Sequence, residues 1–101
     1  MLTSLPHRLR AGLDELARRY HSRGADLFVF GSFARGDQRA GSDLDLGIEW
    51  RVPHSPSLFR ELCADVEKLP TIRKIDLVDF SRVSPQWKEV ASRDRHFLSR
   101  E

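Results

Sequence analysis

Hydrophobic residues recur at three- and four-residue steps from Leu5 through Leu9, Leu13, Leu16 and Ala17 to Tyr20, a spacing that lines one face of a helix. Ser4 as the N-cap, Pro6 in the first turn and Gly24 as the stop bound this first element. Leu27 to Phe30 is apolar at every position between Asp26 and Gly31, which suits a short strand buried on both faces. Residues 43 to 50 alternate polar and apolar with period two and predict a half-buried strand. Its Leu44, Leu46, Ile48 and Trp50 face the core, while Asp43, Asp45, Gly47 and Glu49 share the opposite side, where Gly47 is expected to leave open space beside the carboxylates.

Between these strands, Ser32 is placed to cap a single helical turn over Phe33, Ala34 and Arg35 that Gly36 ends. After Pro53, Ser55 and Pro56 start a helix with the stripe Leu58, Phe59, Leu62, Cys63, Val66 and Leu69, stopped by Pro70. Residues 74 to 80 (KIDLVDF) predict a third strand with Ile75 and Leu77 on one face and Asp76 and Val78 on the other. Ser84 and Pro85 open a last helix carrying Trp87, Val90, Ala91, Phe97 and Leu98. The expected fold class is α/β (α+β), in the order α-β-α-β-α-β-α, as one domain over residues 1–101.

Composition narrows the function classes. Seventeen Lys and Arg against fifteen Asp and Glu leave a net charge of +2, too small to demand nucleic acid as a partner. Fourteen of the seventeen cations are Arg, which favours bidentate contacts to phosphate or carboxylate. A content of 32% charged residues, with no apolar run longer than Leu27 to Phe30, excludes a helical membrane span. Pro6, His7, Arg8 and Arg10 interrupt what a signal peptide would need, and Cys63 alone makes neither a disulfide nor a zinc site, so the expected setting is cytoplasmic. Cys63, on its helix stripe, is read as a small core residue, and His7, His21, His54 and His96 as surface or interface residues.

The chemistry concentrates in Gly31-Ser32-Phe33-Ala34-Arg35-Gly36, Ser42-Asp43-Leu44-Asp45 and Asp76. A glycine after a strand lets backbone N–H groups approach a phosphate closely, and the serine adds a hydroxyl at a helix start that favours an anion. Arg35 can contact that phosphate or pair with Asp37. Asp43 and Asp45 point to one side of their strand, and Asp76 from a neighbouring strand completes a hard-oxygen cluster suited to Mg²⁺. Such clusters hold two metals about 3.5–4 Å apart in phosphoryl-type displacements, with Asp76 placed to accept a hydroxyl proton. A one-residue shift in register would substitute Asp79 for Asp76. Ser42 reads as a turn former that orients the metal strand. Gly31 to Gly36 has the spacing of a P-loop, but Asp37 and Gln38 stand where Lys and Ser or Thr are required, which excludes that class. Trp87 is either a core residue or a surface on which a base could stack.

At these residues the chain resembles the minimal nucleotidyltransferases of the DNA polymerase beta-like superfamily, whose pattern is Gly-Ser-x-Ala-Arg-Gly, then Ser-Asp-x-Asp, then a third Asp on a later strand. The resemblance implies a small mixed β-sheet flanked by helices, with Gly31, Ser32, Arg35 and Ser42 at the nucleotide and Asp43, Asp45 and Asp76 as metal-binding and catalytic carboxylates. It further implies Mg²⁺ and ATP, and the antitoxin role that such short proteins play beside a small helical HEPN toxin, in some cases by transferring AMP to a toxin tyrosine. An acceptor-holding domain has no residues left to build it, so the acceptor is expected to be a macromolecule that brings its own walls; a small-molecule acceptor ranks below it. The alternative reading is an antitoxin that neutralises by binding alone, with a vestigial nucleotide site.

Overall fold

The computed structural model describes residues 5–53 and 56–98. The chain runs through α1 (His7–His21), β1 (Ala25–Phe30), α2 (Ser32–Arg35), β2 (Leu44–Trp50), α3 (Pro56–Glu67), β3 (Ile75–Asp79), a 3₁₀ turn (Phe80–Arg82), α4 (Pro85–Ala91) and β4 (His96–Phe97). The strands form one mixed sheet in the order β3-β2-β1-β4. β1 is antiparallel to both β2 and β4, whereas β2 and β3 are parallel, joined by α3 as the crossover that parallel pairing requires. The α+β class and its mixed sheet are as expected from the sequence.

The apolar stripe of α1 (Leu9, Leu13, Leu16, Ala17, Tyr20) and Leu62 and Val66 of α3 bury against Leu27, Val29, Leu44, Leu46 and Ile48 on one face of the sheet. Each fully buried Leu or Ile there contributes about 1.5–3 kcal/mol of transfer free energy. The Tyr20 hydroxyl donates to Asp65 at 2.7 Å and ties α1 to α3; burial and the Asp65 carboxylate push its pKa well up.

The other face carries a separate aromatic cluster of Phe28, Phe30 and Phe80, with Val78, Ala91 and Phe97 packed against it. Here the open space expected beside Gly47 is absent. Gly47 is opposite Phe28 in the β1–β2 register, and a Cβ on it would overlap the Phe28 and Phe80 rings. The glycine makes room for aromatic packing, and the period-two pattern does not show what covers the face it leaves bare.

The last helix is also shorter than its apolar spacing predicts. Ser84 caps it, accepting from the Trp87 N–H at 3.2 Å, but it ends at Ala91. Phe97 instead pairs with Phe28 in β4, and the Leu98 N–H donates to the Leu27 carbonyl at 3.0 Å. A strand-forming partner beside β1 overrides the helical spacing, since β1 is apolar on both faces and needs a neighbour on its open edge. At the other end, Pro6 stands just before α1 as its N-cap, and Gly31 rather than Ser32 takes that place for α2. Ser4 and Ser55, read as caps, lie outside the described residues.

Replacing Gly47 with Ala is expected to lower stability by about 1–3 kcal/mol through overpacking, because the rings it meets are held by one another. Urea unfolding of wild type and Gly47→Ala measures the difference.

Candidate active site

β1 delivers the chain to Gly31 at the edge of the aromatic cluster, and Gly31 adopts φ 75°, which side-chain-bearing residues rarely do. A Cβ there would also overlap the Asp45 carboxylate, so the turn and the carboxylate fit only because residue 31 is glycine. The first i to i−4 bond of α2 runs from the Arg35 N–H to the Gly31 carbonyl, which leaves the N–H groups of Ser32, Phe33 and Ala34 ahead of the helical ladder. Asp45 pairs with Phe30 across β1–β2 and with Asp76 across β2–β3. Asp45 and Asp76 therefore stand side by side on the aromatic face. Asp79 is elsewhere: its buried carboxylate accepts from the Ser81 N–H at 2.9 Å and the Ser81 hydroxyl at 2.6 Å, capping the 3₁₀ turn.

An open cleft of about 320 Å³ begins at this turn, with Gly31, Ser32, Arg35 and Asp45 along one side and Trp87, Val90 and Ala91 along the other. Asp43 opens instead onto a second cleft with Gly41, Ile72 and Lys74. A larger cavity, about 670 Å³, lies between α3 and the β3 end at Phe59, Leu77 and Arg82, away from Asp43, Asp45 and Asp76. Arg35 donates through Nε to Asp37 at 3.1 Å, the pairing alternative, with both side chains exposed. Ser42 serves its turn: its hydroxyl accepts from the Arg39 N–H at 2.8 Å, and its carbonyl accepts from Arg73.

The family model for polymerase beta nucleotidyltransferases matches residues 17–100. The chain belongs to this nucleotidyltransferase family. Among solved structures, it is similar to one described as a toxin-antitoxin with AMP-PNP, at TM-score 0.66 and 20% identity over 88% of this chain and 71% of that one. A Sulfolobus solfataricus protein described as a nucleotidyltransferase matches at TM-score 0.50 and 18% identity, over 89% of this chain and 78% of that one. At such identities these two likenesses are of fold. Comparison with curated protein sequences finds no match. No described helix of this nucleotidyltransferase domain is long and apolar enough to cross a membrane.

The electrostatics of the nucleotidyltransferase site centre on Asp45. Partial burial, then the charges of Asp76 and Asp43, raise its pKa above the ordinary carboxylate value, and Arg35 opposes them. Asp76 has a cation at hand in Lys74, at 3.5 Å. Among the described residues, no group of three or more His, Cys, Asp or Glu side chains is gathered closely enough to hold a metal ion. The donor chemistry nevertheless fits a hard divalent cation, since the charges of Asp76 and Asp43 raise the Asp45 pKa and carboxylate oxygens are the ligands Mg²⁺ takes.

Three supports of the site rest on contacts that local pattern does not show. His96, read as a surface or interface residue, is half-buried with its Nε2 3.1 Å from the Ala34 carbonyl, bracing α2 from β4. Glu49, on the carboxylate face, is taken up by Arg95 at 2.8 Å and Lys88 at 3.5 Å, which fastens α4 and the approach to β4 onto the sheet. Trp87 forms part of the cleft wall. Each depends on the position of residues 85–98, which no local spacing encodes.

Because the Asp45 pKa is raised in the fold, its charge destabilises the protein above both the folded value and the ordinary 3.8, and costs nothing where it is protonated in both states. Asp45→Asn is therefore expected to raise Tm at neutral pH in the presence of a chelator. The gain disappears as pH falls below the ordinary carboxylate value, which thermal unfolding across pH measures.

Proposed function

We propose that the protein transfers AMP from ATP to a hydroxyl of a partner protein, a tyrosine of a HEPN-type toxin, and so acts as its antitoxin in the cytoplasm. The observation that carries the reading is the register: Asp45 adjoins Asp76 across β2–β3 and the Gly31 turn across β1–β2, so a phosphate-gripping turn and two carboxylates meet at one point. The solved structure of a toxin-antitoxin with AMP-PNP, similar in fold, supports the partner and the donor nucleotide.

In this reading the N–H groups at Ser32 and Phe33 and the Ser32 hydroxyl bind the β- and γ-phosphates, and Arg35 leaves Asp37 to add charge there. Ser42 holds the turn that leads into Asp43. Asp43, Asp45 and Asp76 would hold Mg²⁺, which supplies neutralisation of the phosphate charge and of the departing pyrophosphate. The acceptor hydroxyl oxygen forms a bond to the α-phosphorus as the bond from that phosphorus to the bridging oxygen breaks. Pyrophosphate carries away the electron pair, and the hydroxyl proton passes to the Asp76 carboxylate. Asp76, near the start of β3 and only half-buried, leaves the acceptor free to approach from solvent.

The test is transfer of label from α-phosphate-labelled ATP to proteins of the host lysate. Wild type is expected to label one small protein band, and Asp45→Asn and Asp76→Asn to lower the rate by more than about 100-fold, the upper end of what loss of a mere outer-shell partner costs. Undiminished label with Asp45→Asn overturns the carboxylate assignment. Unlabelled partner that is still neutralised by that variant establishes action by binding alone.

A further inference from the structure

The cleft at Gly31 has two unlike sides. One is polar, with the N–H groups and hydroxyl at Ser32, the Arg35 guanidinium and the Asp45 carboxylate; the other is the indole of Trp87 with Val90 and Ala91, and Asp94 also lines the cleft. Trp87 is 41% exposed and Val90 61%, and no residue of α4 is buried, so neither is needed to fill the core. Yet the indole is not loose. It stands edge-on to Phe30, at 5.7 Å and 85°, and to Phe80, at 5.2 Å and 61°. Ser84 accepts from its backbone N–H, and Lys88, one residue on, reaches Glu49 of the sheet. A large aromatic surface is thus held rigidly beside the phosphate turn, joined to it through Phe30-Gly31, and left open to solvent.

We infer that Trp87 is the platform on which the nucleobase of the donor nucleotide stacks while the triphosphate lies on the Gly31–Ser32 turn. This rests on the reading of the cleft as a nucleotide site and deepens it. A ligand with a flat apolar ring at one end and an anionic chain at the other matches the two sides, and a nucleoside triphosphate has that form. Every base presents a π-face, so the platform contributes affinity for any of them and tolerates the choice of base. A rigid indole loses little conformational entropy on binding, and its edge-on packing against Phe30 and Phe80 sets the plane in which a base is received.

The test compares binding of Mg·ATP and of Mg·triphosphate, which has the phosphates without the base, by calorimetry. Trp87→Leu is expected to weaken Mg·ATP binding by about 5- to 150-fold, the span carried by base–aromatic stacking. Mg·triphosphate binding stays unchanged, and Trp87→Tyr restores most of the loss. As a check that needs no change at the platform, Trp50→Phe leaves Trp87 the sole tryptophan, and Mg·ATP but not Mg·triphosphate is expected to quench its emission. Equal Mg·ATP binding by wild type and Trp87→Leu overturns the inference and leaves the indole to an acceptor side chain. Equal losses for both ligands overturn it too, reducing Trp87 to a support of the cleft. If wild type binds neither ligand, the nucleotide site itself is refuted and the platform with it.

Discussion

The Phe28 ring fills the space over Gly47, and the rest of the second sheet face is arranged around that contact. β1 is apolar on both sides and lies second from the edge, so the sheet must be covered twice to keep Phe28 and Phe30 from water. α1 and α3 cover one side. On the other, Phe80 and Phe97 close on Phe28 at 4.7 and 5.2 Å, and Arg95 lies over the Phe28 and Phe97 rings. Two residues beyond Gly47, Glu49 takes Arg95 and Lys88, so the same strand that admits the ring also fastens the segment that covers it.

The site is the end of this arrangement at which covering stops. Asp45 is two residues before Gly47 on the same face, opposite Phe30, and partial burial beside Asp76 and Asp43 makes its charge unfavourable. Like charges are gathered there at a cost in stability, as is usual at functional sites. Gly31 contributes twice. Its positive φ turns the chain off β1, and its missing side chain lets the Asp45 carboxylate lie against the turn. Asp79, three residues from Asp76, has the opposite circumstances: buried, and occupied by Ser81.

Much of this was legible along the chain because it is local. The stripe from Leu9 to Tyr20 and the alternation from Leu44 to Ile48 record which side of an element meets the core, whatever the core contains. The Gly31-Ser32 turn, the Asp43 and Asp45 pair and Asp76 were recognisable as a set, and with them the family to which the chain belongs. The sequence favoured Asp76 over Asp79, and the structure pairs Asp76 with Asp45 across β2–β3 while Asp79 is buried against Ser81.

What local pattern does not record is the partner each surface meets. Gly47 read as a gap because the alternation shows only that a side chain is missing, and not that Phe28 from another strand enters. Phe97 and Leu98 read as helical because their spacing allows it, whereas the open edge of β1 draws them into pairing. For the same reason Trp87 was undecided between core and surface. The sequence by itself determined most of the elements, their inward faces and the candidate residues of the chemistry, since these follow from backbone periodicity and side-chain type. Only the tertiary structure decided the fourth strand, the bracing of α2 by His96 and the placing of Trp87 beside the Gly31–Ser32 turn, since these arise from contacts between segments tens of residues apart.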